Sequence, residues 1–147
     1  IQQLQATPSF LVGSAVGIAG ASLRLWCYRV LGRLFTFEMS IRSGHKLVTT
    51  GPYAYARHPS YTGLVMTVAG ETLVQLSAGS WLRVFDLLDT PYAKAYLFML
   101  AVPMSLISYS ATGPRLEREE RALKERFGDE WQAWARKTPY KLIPLLY

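Results

Sequence analysis

Ile1 to Leu23 holds no charged residue. Thr7-Pro8 supplies a cap followed by a proline at a first helical position. From there Phe10, Leu11, Val12, Val16, Ile18 and Leu23 predict a helix over 8–34, long enough to cross about 30 Å of hydrocarbon. Gly13 and Gly17 form a G-x-x-x-G pair, a spacing that lets a neighbouring helix approach closely. A second apolar run covers 61–82, interrupted by Glu71 and Gln75. These two stand one turn apart, and can share a hydrogen bond if Glu71 is protonated. Trp81 fits an interfacial aromatic anchor. The third run, 91–111, opens on Pro91 and holds Pro103, which predicts a kink. The 114–147 stretch differs in kind. Leu116, Leu123 and Phe127 recur at helical spacing among charges, Gly128 suits a C-cap, and Asp129 can cap a second short helix carrying Trp131 and Trp134.

The pattern predicts an all-α, polytopic integral membrane protein with about three transmembrane helices and a C-terminal amphipathic helical segment. Residues 35–60 form a polar connection. The 147 residues suit one domain, half of them hydrophobic and 18% charged. Six Lys/Arg lie from Arg24 to Arg57 and eight from Arg115 to Lys141; only Arg83 and Lys94 lie near the middle connection. With three crossings the two basic regions share a side, which the positive-inside rule places in the cytosol. The net charge of +6 therefore reads as contact with a membrane surface, with no nucleic-acid partner. The single cysteine, Cys27, sits among Leu25, Trp26 and Tyr28 and reads as packing. The chain does not begin with Met and its first residues lack a basic n-region, so the start reads as no signal peptide, and upstream helices of a longer protein are allowed for.

Packing explains His45 to Gly63, HKLVTTGPYAYARHPSYTG, least well. Pro59 is placed for the first turn of a helix, and His58 before it is steered away from helical dihedrals. Polar groups thus collect at the mouth of an apolar segment, where a charged small molecule would bind. A second polar cluster, Arg115 with Glu117, Glu119 and Glu120, lies on the same predicted side. Arg115 and Glu119, four apart, share a helix face, and on spacing alone they read as a solvent-exposed ion pair before a functional one. His58 likewise reads as a helix cap as readily as a functional group. Dinucleotide, P-loop, zinc-helix and nucleophile-elbow patterns do not occur, and no metal is expected.

The run HKLVTTGPYAYARHPSYTG resembles the signature of the isoprenylcysteine carboxyl methyltransferase family. RLEREE, followed by RFGDEW and a proline-containing tail, resembles that family's C-terminal element. The resemblance covers roughly Glu38 to the end. It implies a cytosol-facing pocket for the methyl donor S-adenosylmethionine, contacted by Glu38, His45, Lys46, Leu47, Val48, Tyr53, His58, Pro59, Ser60, Tyr61 and Glu119. Glu38 departs from the Gln often found there. Arg115 matches the arginine associated with the prenylcysteine substrate. The implied activity is methyl esterification of the C-terminal carboxylate of prenylated cysteine, with the prenylated protein and the bilayer as partners and the endoplasmic reticulum as location. Glu119 can offset the donor's positive charge, and tyrosine faces can attract it. Phospholipid methyltransferases and sterol reductases carry similar runs. Lipid-amine methylation, a reductase using NADPH and a catalytically silent membrane scaffold are therefore the competing readings.

Overall fold

The computed structural model describes residues 6–32, 46–78, 80–84, 114–142 and, within 90–104, all but 93, 97, 100 and 103. Among them the backbone is helix, turn or loop, with no strand, as the periodicity predicts. The chain divides into two compact units. One comprises Ile1–Ala21 and Leu64–Tyr109, the other Ser22–Gly63 and Ser110–Tyr147.

Helix α1, Pro8–Leu31, runs 24 residues, or about 36 Å. Thr7 opens it, its Oγ1 accepting a hydrogen bond from the Phe10 amide at 3.3 Å. The helix runs to Leu31 and is followed by Gly32 at a positive φ of 52°, a conformation that suits a helix end; the expected boundary at Leu34 lies outside the described residues. Among the described residues α1 alone is both long and apolar enough to cross a membrane. Leu11, Val12 and Ile18 are more than half exposed, which suits an apolar face turned to lipid.

In the first unit, α1 packs against helix α2, Pro59–Leu76, through bare backbone. A Cβ added at Gly70 would collide with Gly17 N and lie 2.5 Å from Gly13 O and 2.6 Å from Gly17 Cα. One added at Gly13 would lie 2.8 Å from Gly70 O, whereas at Gly17 it would find only ordinary contacts near 3.9 Å. The predicted small-residue contact therefore exists, and its tightest member is Gly70, on the opposite helix. Gln75 Nε2 donates to Glu71 Oε1 at 2.7 Å, a bond an ionised carboxylate accepts equally well, so it requires no protonated Glu71.

The second apolar run is shorter than the expected 61–82. It begins at Pro59 and ends at Leu76, where Ser77 Oγ donates to the Val74 carbonyl at 2.8 Å and Arg83 Nε to the Leu76 carbonyl at 3.1 Å. Hydroxyl and guanidinium take up carbonyls that the helix end leaves open. A single turn, Trp81–Val84, follows, and Trp81 sets its ring edge-on to Tyr96 at 5.8 Å. The described positions of the third run, within 91–104, are helical. Pro103 and its expected kink lie outside the described residues.

In the second unit, helix α3, Pro114–Lys137, follows the predicted amphipathic pattern. Gly128, at φ 49° and ψ −115°, breaks it into two pieces where the C-cap was expected. Its buried residues, Leu116 and Trp134, face inward. Cys27 is fully buried in a cluster with Tyr53 and Trp134, joined by Val30, Leu47, Val48 and Trp131, which bears out its packing role.

The glycine contacts generate a graded expectation. Gly70→Ala should cost about 1–3 kcal/mol by forcing two backbones apart. Gly17→Ala should be neutral or stabilising by up to about 1 kcal/mol, from helix propensity. Denaturation midpoints of the two variants check this, and equal losses would contradict the asymmetry.

Candidate functional site

The site is assembled within the second unit. Gly51, at φ 62°, turns the chain tightly beneath α1, where a Cβ would lie 3.0 Å from Val30 Cγ2. Pro52 then starts a single 3-10 turn, Gly51–Ala54. That turn buries Tyr53 beside Cys27, and the Tyr53 carbonyl accepts from Trp134 Nε1 at 3.1 Å. Burial pushes the Tyr53 phenol well above its usual range, with Cys27 and Glu119 adding to the effect. It therefore stays protonated at any physiological pH.

The following segment borrows its backbone partners from the C-terminal tail. Ala54 O accepts from Thr138 Oγ1 at 3.2 Å, Arg57 N donates to Tyr140 O at 2.9 Å, His58 N to Lys141 O at 2.8 Å, and Thr62 Oγ1 to Leu142 O at 2.5 Å. Residues 138–142 thus form a strap alongside 54–62. Pro59 opens α2 as expected, and the His58 carbonyl accepts the Tyr61 amide at 3.1 Å.

His58 is 3% exposed and lies between two carboxylates of α3. Its Nδ1 is 3.9 Å from Glu119 Oε1 and its Nε2 is 3.4 Å from Glu120 Oε1, the latter without the alignment of a hydrogen bond. The Tyr61 hydroxyl donates to Glu119 Oε2 at 3.0 Å, and Arg115, one turn before Glu119, also reaches that hydroxyl. The Ser60 carbonyl accepts from Arg24 Nη1 at 3.0 Å, and Arg24 also bonds Tyr28.

Several expected residues are therefore brought together. His58, Tyr61, Glu119 and Arg115 meet at the junction of α2 and α3, while Pro59 and Ser60 sit in the turn that aims them. Tyr53 lies in the apolar cluster with Cys27 and Trp134, against which Leu47 and Val48 pack, and Lys46 is exposed. Glu38 and His45 lie outside the described residues. Among those residues no group of three His, Cys, Asp or Glu could hold a metal ion.

Sequence reasoning missed a second layer. Arg57 Nε and Glu120 Oε1 pair at 2.7 Å with side chains only 9% and 15% exposed. Arg57 Nη1 also donates to the Thr138 and Pro139 carbonyls at 3.0 and 2.9 Å, and Lys141 Nζ lies 3.4 Å from Glu120 Oε2. Burial raises the Glu120 carboxyl, but polar contacts with His58 and Arg57, and their charges, outweigh it and bring it down to about 2. Helical spacing could not have chosen Glu120 over Glu119. Both glutamates lie three or four residues from Leu116 and Leu123, so the spacing carried no signal that separates them.

A carboxyl held below its ordinary value stabilises the fold above pH 4.5, and that contribution is lost as pH falls through about 2. Glu120→Gln should cost roughly 1–3 kcal/mol at pH 7. The gap from the parent protein should shrink below pH 4.5 and close near 2. Denaturant titrations across that range check it, and a gap independent of pH would contradict it.

Comparison with known proteins adds to this geometry. The Isoprenylcysteine carboxyl methyltransferase (ICMT) family profile matches residues 13–125. The sequence is 29% identical to a protein-S-isoprenylcysteine O-methyltransferase B of Arabidopsis thaliana, over 86% of this chain and 55% of the relative. It is 29% identical to the Schizosaccharomyces pombe protein-S-isoprenylcysteine O-methyltransferase, over 95% of this chain and 55% of the relative. A Delta(14)-sterol reductase of Mus musculus is 26% identical over 71% of this chain, but over only 21% of its own length. The chain spans about half the length of the methyltransferases it matches.

Proposed function

The chain belongs to the isoprenylcysteine carboxyl methyltransferase family, and from that premise we propose that it methyl-esterifies the C-terminal carboxylate of prenylated cysteine, using S-adenosylmethionine. One observation carries the reading. Tyr61, at the start of α2, gathers Glu119 and Arg115 from one face of α3 beside the buried His58. A carboxylate suited to a cationic donor and a guanidinium suited to an anionic acceptor thus stand one helical turn apart.

The donor carries a sulfonium and an ammonium, which Glu119 can offset. Tyr53, Leu47 and Val48 offer an apolar wall, and the turn from His58 to Tyr61 offers the polar contacts. Lys46, Glu38 and His45 belong to the same assignment through the family motif. The acceptor is a C-terminal carboxyl, ionised near pH 7, so no general base is required. A bond forms between a carboxylate oxygen and the methyl carbon while the carbon–sulfur bond breaks, its electron pair staying on sulfur to leave a thioether. Opposite charges cancel along this path, so exclusion of water lowers the barrier. Arg115 would orient the carboxylate, and the fork of its guanidinium favours Arg over Lys.

The reading extends to an integral membrane setting, with three crossings and the site facing the cytosol. It also includes a location in the endoplasmic reticulum and lateral entry of the prenyl chain from the bilayer. The apolar length of α1 and the clustering of basic residues support the membrane part.

The test is methyl transfer in membranes carrying the protein, with labelled S-adenosylmethionine and a farnesylcysteine analogue. Base-labile incorporation is expected. Arg115→Ala and Glu119→Ala should each reduce it about 10- to 100-fold, the loss of one hydrogen bond to a charged group. Incorporation into lipid amine alone, or none at all, would overturn the assignment.

A further inference from the structure

We propose that Arg57 and Glu120 are a positioning pair that holds the two halves of the donor pocket in register without touching donor or acceptor; this rests on the methyltransferase reading above. The argument is geometric. Each residue is the immediate chain neighbour of a pocket residue, Arg57 of His58 and Glu120 of Glu119. Successive side chains on a helix diverge by about 100°. Turning Glu120 inward to Arg57 therefore fixes the direction in which Glu119 leaves α3.

On the other side, Arg57 is held at three points, by Glu120 and by the Thr138 and Pro139 carbonyls. With the amides of Arg57 and His58 bonded to the Tyr140 and Lys141 carbonyls, these contacts restrain the backbone at 57–58. That backbone carries His58, whose Nδ1 stands 3.9 Å from Glu119 Oε1, and leads into Tyr61, bonded to Glu119 at 3.0 Å. Lys141 adds a second cation to Glu120 and ties the strap to the same point. An exposed ion pair would be too weak and mobile for this task. Here both side chains are largely buried, so removing either partner leaves a charge that solvent screens poorly.

The experiment has two arms on the purified full chain. In the first, Glu120→Gln, Arg57→Lys and Arg57→Met are assayed for the KM of S-adenosylmethionine and for kcat, alongside thermal midpoints. Displacement of the pocket should raise KM by roughly tenfold or more. Arg57→Lys, which keeps the charge, should recover part of what Arg57→Met loses. An unchanged KM and kcat with only a lowered midpoint would overturn the proposal, since that is the result of a purely structural pair.

The second arm is hydrogen exchange on the unliganded protein. In Glu120→Gln the amides of Arg57 and His58, bonded to Tyr140 and Lys141, should lose protection while α1 stays protected. Retained protection there would overturn the positioning role. This arm decides the matter even if the parent protein transfers no methyl group, so failure of the reaction assignment is told apart from failure of the pair.

Discussion

The buried ion pair between Arg57 and Glu120 joins two polar stretches that lie 63 residues apart in sequence. Without it, the loop before α2 and the start of α3 would each be an ordinary charged segment. Three cations converge on the Glu120 carboxylate: the Arg57 guanidinium, the Lys141 ammonium and, when protonated, the His58 ring. The cost of removing these groups from water is recovered only because each finds a partner. That requirement fixes the strap, the loop and the helix against one another. His58, Tyr61 and Glu119 take their places as a result.

Much of the local structure was legible because it depends on local chemistry. Pro59 cannot sit inside a helix but can begin one, and it does begin α2. Gly128 adopts a backbone conformation that other residues avoid, and it breaks α3 where the pattern of Leu116, Leu123 and Phe127 gives way to the next capping residue. The apolar first stretch is a single long helix. The end of α2 was less legible. Hydropathy alone carries the run on to Leu82, while the hydroxyl of Ser77 and the guanidinium of Arg83 close it at Leu76. These are competing hydrogen bonds, which a count of apolar residues does not register.

The candidate site divides in the same way. The candidate residues fall in two short motifs, and the structure brings His58, Tyr61, Arg115 and Glu119 together. The residues beneath them were hidden, since their identity depends on which of two adjacent glutamates turns inward. Spacing placed Glu119 and Glu120 one residue apart on an amphipathic helix and could not rank them. The small-residue contact shows the same limit. The G-x-x-x-G pair on α1 announced a close neighbour, but Gly70, which has less room than Gly13 or Gly17, stands in a run with no repeat of its own.

The strap has a consequence for the order in which the molecule can be completed. Its bonds to Ala54, Arg57 and Thr62 span 80 to 84 positions of the chain. During synthesis the segment around His58 is made long before the residues that supply its backbone partners. Contacts of such long range carry the largest loop-closure cost and form late. The helices can form as they emerge, whereas the backbone around His58 finds its partners only once residues 138–142 have been added. The arrangement of Arg57, His58 and Tyr61 is therefore completed later than the helices that carry it.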